Sequence, residues 1–250
     1  MRSQNYKISL DATPEEVFRA ISEGDSITRW FAPAASVTPG VGGSVTLSWG
    51  PGMEGTAPIS GWEPGKRFAW TEQHGDGEPK VVEFLIEAAE GGKTILRLVH
   101  SGFADDADFD AEFDSTTGGW TTFLRLLQFD LAEHKGAPAK HLFRIKYTSR
   151  DRLEVLEELL TAMSFRRDGA TYEAALPNGI ALSGRVLLDG PKGYLILTLD
   201  SLAGGALGLF AEQCGPQCGL TTSWYLKRGA TAREPELAAA WDEVLANLRL

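Results

Sequence analysis

Between Val45 and His100 the chain is a succession of short apolar–polar alternations cut by glycine and proline, a pattern that suits an antiparallel meander. Val45, Leu47 and Trp49 alternate with Ser44, Thr46 and Ser48. Ala57 to Trp62 reads as the next strand, and Phe68 and Trp70 share one face of the strand after it. Val81 to Ala88 and Thr94 to His100 complete the run. Pro51-Gly52, Glu63-Pro64-Gly65-Lys66, His74-Gly75-Asp76-Gly77 and Glu90-Gly91-Gly92-Lys93 supply the turns.

Helices flank this meander. After an alternating strand at Tyr6 to Leu10, Thr13 can cap a helix that Pro14 opens, and Glu15 and Glu16 suit its positive end. Val17, Ala20 and Ile21 form its apolar stripe and Gly24 is read as its end. A second short helix is expected over Asp25 to Phe31, with Ile27, Trp30 and Phe31 on one side. From Gly118 the spacing becomes helical again, with Trp120, Phe123, Leu124, Leu127 and Leu131 recurring every three or four residues.

A similar order restarts beyond Gly136-Ala137-Pro138-Ala139. Leu142 to Tyr147 alternates, and Ser149 to Met163 is amphipathic. Strand-like runs follow at Thr171 to Leu176, Ile180 to Leu188, Tyr194 to Leu199 and Thr221 to Leu226, and Pro235 to Leu250 closes as a helix. The reading is α+β, with one module over residues 1–136 and a second, shorter one over 141–250, a degenerate copy of the first in element order.

Thirty-four acidic against 24 basic residues give a formal charge of −10, which argues against nucleic acid and anionic membranes as partners. No run approaches the roughly 18 apolar residues of a membrane span, and Met1 to Asn5 carries no apolar leader, so a cytoplasmic protein is expected. Cys214 and Cys218 are one residue too far apart for a thioredoxin-type pair and lack further zinc ligands, so two reduced thiols are the default. The run Asp105, Asp106, Asp108, Asp110, Glu112 and Asp114 lacks the central glycine and spaced glutamate of a calcium hand and is read as a solvated loop. No metal or cofactor is expected.

Several segments are similar to one known family. Thr13-Pro14-Glu15-Glu16-Val17-Phe18 and Ile27-Thr28-Arg29-Trp30-Phe31-Ala32-Pro33 resemble the opening of the activator of heat-shock-protein-90 ATPase-like family, within the SRPBCC (START and Bet v allergen-like) helix-grip superfamily. Gly42-Gly43-Ser44, Trp62-Glu63-Pro64-Gly65-Lys66-Arg67-Phe68, Leu96 to Phe103 and Gly118-Gly119-Trp120 continue the resemblance in family order over residues 5–135. It implies a curved antiparallel sheet around a long C-terminal helix, two short helices sealing one end, and an apolar cavity between sheet and helix. Such a cavity would be lined by Trp30, Trp49, Phe68, Trp70, Phe84, Leu98, His100, Trp120, Phe123 and Leu127.

Three functions suit that expectation: non-enzymatic binding of a small lipophilic or aromatic ligand, first; a chaperone-interacting module, second; a cyclase or hydratase-type enzyme using the cavity, third. His100 is the one candidate proton carrier in the lining, although a structural hydrogen bond is the commoner role for such a histidine. Glu72 and Glu83, on neighbouring strands with Glu54 before them, are a weaker acid–base pair. His74, His134 and His141 show no metal-ligand spacing.

Overall fold

The computed structural model describes residues 1–73, 78–104, 110–190, 193–214 and 217–250, with backbone only at 111–112 and 213–214. Met1–Ala137 and Pro138–Leu250 form two compact units.

In the first unit, β1 (Arg2–Leu10) leads into α1 (Pro14–Ser22) and α2 (Gly24–Ile27). The meander is β2 (Ala34–Thr38), β3 (Ser44–Ser48), β4 (Glu54–Glu63), β5 (Arg67–Glu72), β6 (Lys80–Ala88) and β7 (Thr94–Phe103), followed by α3 (Asp110–Phe129). One antiparallel sheet results, in the order β1-β7-β6-β5-β4-β3-β2, with β1 closing onto the last strand through Gln4↔His100 and Tyr6↔Leu98. This is the helix-grip arrangement: six meander strands, the first strand returned to the far edge, and a long helix after the last strand.

The sheet has one apolar face because its inward positions alternate: Leu96, Leu98 and His100 on β7, Val82, Phe84 and Ile86 on β6, Phe68 and Trp70 on β5 are all buried. A register shift between Ile59 and Gly61 lets two positions of opposite parity on β4 reach the same neighbours, Ile59 opposite Trp70 and Trp62 opposite Phe68. Helix α1 is fixed by a full capping box, Thr13 receiving the Glu16 amide and Glu16 receiving the Thr13 amide at 2.8 Å. Buried Gln4 ties β1 to α3, donating to the Phe113 carbonyl at 2.6 Å and to Thr117 at 2.9 Å.

The second unit repeats the plan. β8 (Ala139–Thr148) precedes α4 (Arg152–Ala162), then β9 (Arg166–Asp168), β10 (Thr171–Ala175), β11 (Ala181–Gly190), β12 (Tyr194–Thr198), β13 (Gly205–Cys214), β14 (Gln217–Lys227) and α5 (Glu234–Ala246). Its sheet order, β8-β14-β13-β12-β11-β10-β9, is the first unit's order strand for strand. The core between this sheet and its helices is built from leucines and Trp224 and Trp241, whose rings meet edge-to-face at 5.0 Å.

The structure corrects several local expectations. Gly24 does not end α1; Glu23 does, and Gly24 begins α2, where a Cβ would stand 2.7 Å from the Ala35 carbonyl oxygen. α2 stops at Ile27, and Trp30 and Phe31 lie in the turn beyond it. Helix α3 begins at Asp110, eight residues before Gly118, because glycines at positions 118 and 119 lower helix propensity without breaking a helix that packs on a sheet. β2, β9 and β13 were absent from the expected strands. β13 was hidden because its run from Gly205 to Ala211 is continuously buried and does not alternate.

Candidate functional site

The aromatic side chains expected to line a cavity converge in the first unit, and they do so largely on one another. Phe31, in the turn after α2, is the hub. Its ring stacks on Trp120 (5.3 Å between centroids, 27°) and on Trp30 (5.3 Å, 18°), and meets Trp49 and Phe123 edge-on at 5.5 and 4.7 Å. From Trp120 the contacts continue across the sheet to Phe84 (5.9 Å), Trp70 (5.7 Å) and Phe68 (5.4 Å). Trp62 and Phe18 extend the series to α1. Offset and edge-to-face pairs at these separations are the favourable aromatic geometries.

Burial divides the set. Trp30, Phe68, Phe84, Leu98 and Leu127 are closed off, and Trp70, His100 and Trp120 nearly so, whereas Trp49 and Phe123 remain half-buried. The indole of Trp30 is turned to the Ala20 carbonyl at 2.9 Å, which fastens it to α1 behind Phe31. Trp70 donates to Glu72 at 2.9 Å.

His100, on β7, faces Trp120, on α3. The Trp120 indole N–H donates to His100 Nδ1 at 3.0 Å, and Phe103 packs edge-on against the imidazole at 4.6 Å. An accepting Nδ1 carries no proton, so the ring is neutral and protonated at Nε2. The polar pair lies beside buried Gln4, directly opposite His100 on β1, and joins helix to sheet. Nδ1 is thereby committed, which leaves it no part as a proton acceptor while the bond holds.

The carboxylate pair does not assemble. Glu72 lies opposite Lys80 and Glu83 opposite Ala69, and Glu83 receives Arg67 at 2.6 Å. His134 and His141 are partners of aromatic rings, Phe129 at 4.8 Å and Tyr225 at 4.2 Å. Among the described residues no three His, Cys, Asp or Glu side chains group as metal ligands. His74, Asp105, Asp106 and Asp108 lie outside the described residues, as do the side chains of Glu112 and Cys214; Asp110 takes Arg2 at 2.5 Å, and Cys218 is buried. Among the described residues no helix is long and apolar enough to cross a membrane.

The sequence pattern underrated Phe31, which read only as one apolar residue of a short helix. A second feature escaped it altogether: a cavity of about 530 Å³ between α1, α2 and the end of α3, walled by charged side chains. Those residues are scattered between Asp11 and Gly136 and carry no motif, so spacing gives no signal for them.

Residues 11–129 match the family model described as Activator of Hsp90 ATPase homolog 1-like protein. No curated protein sequence matches the chain. Among solved structures, the chain is similar to the Aha1 dimer from Colwellia psychrerythraea, at 24% identity over 54% of this chain and 100% of that one, with a TM-score of 0.47. It is also similar to the di-domain ARO/CYC BexL from the BE-7585A biosynthetic pathway (15% identity, 98% of this chain, 93% of that one, TM-score 0.48). A third is DynU16, from the dynemicin biosynthetic locus (17% identity, 98% and 96%, TM-score 0.45).

Proposed function

We propose, from the match of residues 11–129 to the Activator of Hsp90 ATPase homolog 1-like family model, that the chain binds a small lipophilic or aromatic molecule between the first sheet and α3. One observation carries the reading: Trp49 and Phe123, half-buried, flank Phe31 at one end of the aromatic series, while Trp30, Phe68 and Phe84 within it are closed off. In this reading their two rings frame the entrance, and the His100–Trp120 polar pair lies deeper among the buried rings. Apolar walls with one or two placed polar groups are what small-molecule sites use.

Entry means turning these two rings away from Phe31. Each such ring contact is worth about 0.5–1.5 kcal/mol beyond area burial. A two-ring ligand burying roughly 200 Å² of apolar surface gains on the order of 5 kcal/mol. The apolar transfer term thus exceeds the two ring contacts given up, before the cost of association is counted. Pre-existing aromatic packing is in this sense a closed form of the site rather than an argument against it. No chemistry is assigned to the site. A cytoplasmic location suits the same reading.

The test is titration with N-phenyl-1-naphthylamine, a neutral two-ring-system fluorophore, followed by its emission and by tryptophan quenching. Saturable binding is expected, weakened about tenfold in Trp49→Ala and in Phe123→Ala, the equivalent of one lost ring contact. No saturation, or identical affinity in both variants, overturns the proposal.

The family match favours a second reading, action on a chaperone ATPase. An ATPase rate unchanged by a molar excess of this chain counts against it, and a raised rate supports it.

A further inference from the structure

The charged cavity at the opposite kind of surface, between α1, α2 and the end of α3, has no part in the aromatic site. Its volume of about 530 Å³ falls in the range of small-molecule sites. The acids and bases in its wall are not equivalent. Each carboxylate already has a partner: Asp11 receives Lys93 at 3.0 Å, Glu16 receives the Thr13 amide at 2.8 Å, and Glu23 receives the Ser26 hydroxyl at 3.2 Å.

The cations are less occupied. Arg29, whose side chain is only 13% exposed, gives Nε to the buried Asp130 at 3.0 Å and Nη1 to Ser26 at 3.0 Å. Its Nη2 has no acceptor among the described residues. That nitrogen faces Gly136, where an added Cβ would lie 3.4 Å away, so the glycine keeps the approach open. Arg19 and Lys135, both exposed on the cavity wall, have no carboxylate within 4.0 Å among the described residues. Their field is felt by Glu16, whose carboxyl is held below the usual carboxylate range, first by the Thr13 amide and further by Arg19 and Lys135.

We propose that this cavity binds a small organic anion, its phosphate or carboxylate group held by Arg29 Nη2 and flanked by Arg19 and Lys135. A guanidinium fixed by an ion pair presents its remaining N–H donors at a set angle, the geometry that recognises oxyanions. Two flanking cations add attraction without prior commitment. The volume exceeds that of a bare ion and leaves room for an organic body.

The experiment is an amide and arginine Nε–H NMR titration of the full chain with inorganic phosphate and, separately, citrate, at constant ionic strength. Saturable shifts centred on Ser26, Arg29 and Gly136 are expected for at least one probe, and the probe that saturates identifies the preferred anion group. The Arg19→Gln/Lys135→Gln double variant, altered only at exposed positions, should bind that probe about tenfold more weakly or worse while its other amides stay in place. Linear shifts with both probes, or a double variant that binds as tightly as the parent chain, overturn the proposal.

Discussion

Trp120 gives its indole N–H to Nδ1 of His100, and the direction of that bond fixes the imidazole as the neutral Nε2–H form. Long-range nitrogen–proton NMR at neutral pH should show Nδ1 unprotonated; a protonated Nδ1 would exclude the bond. His100→Ala removes the acceptor and leaves a buried indole N–H unserved, at a cost of about 1–3 kcal/mol in addition to the cavity it opens. Trp120→Phe removes the donor instead and leaves the buried Nδ1 acceptor unserved, a cost of the same order beyond the difference in ring size. Equal stability of His100→Ala and the parent chain in denaturant would contradict this. In the second unit Trp241 makes the corresponding bond to Thr222 at 2.8 Å, so a helix tryptophan fastened to the last strand recurs with a different acceptor. Glu212, on β13, has its carboxyl raised above the usual range by burial, an effect reduced by the Tyr194 hydroxyl donating at 2.8 Å. A raised carboxyl binds its proton better in the folded state, so this group's contribution to stability is fullest below pH 4.5 and is lost as pH rises through the folded value. Glu212→Gln should therefore gain on the parent chain as pH is raised from 4 to 8; a pH-independent difference would refute the assignment.

At the scale of elements, the sequence was most legible where one face of a strand is wet. Val45 to His100 and Thr13 to Ile21 show their periods openly, because alternate or every third and fourth side chain meets water. β13 does not, since Gly205 to Ala211 is buried on both faces, and β2 carries alanines and serines too small to declare a period. Gly24 is a further case. Its expected use was as a helix end, but it is required by the closeness of α2 to β2, a distance no local pattern records. Gly24→Ala should cost about 1–3 kcal/mol, as overpacking against backbone does, even though alanine is the better helix former. Thermal unfolding that shows a stabilised Gly24→Ala would mean the contact relaxes freely. The burial of the aromatic set was legible for the same reason as the meander, whereas the charged cavity was not: Arg19, Arg29 and Lys135 are ordinary surface letters until the fold brings them together.

For the whole molecule, the fact that matters is that seven strands in each unit follow one order, β1-β7-β6-β5-β4-β3-β2 and β8-β14-β13-β12-β11-β10-β9, each followed by a helix. The two units thus share one strand order, although no run of residues repeats. A shared order does not require a shared task. The second unit's core cluster is mainly leucine with Trp224 and Trp241, and His141 packs on buried Tyr225, whereas in the first unit Trp49 and Phe123 stay half-buried beside Phe31. The proposed ligand site accordingly lies in the first unit. Native mass spectrometry of the chain tests this most directly, both as purified without detergent and after incubation with N-phenyl-1-naphthylamine. A one-to-one adduct, lost when Trp49 and Phe123 are both changed to alanine, is the predicted result; a bare polypeptide mass under both conditions would contradict the account.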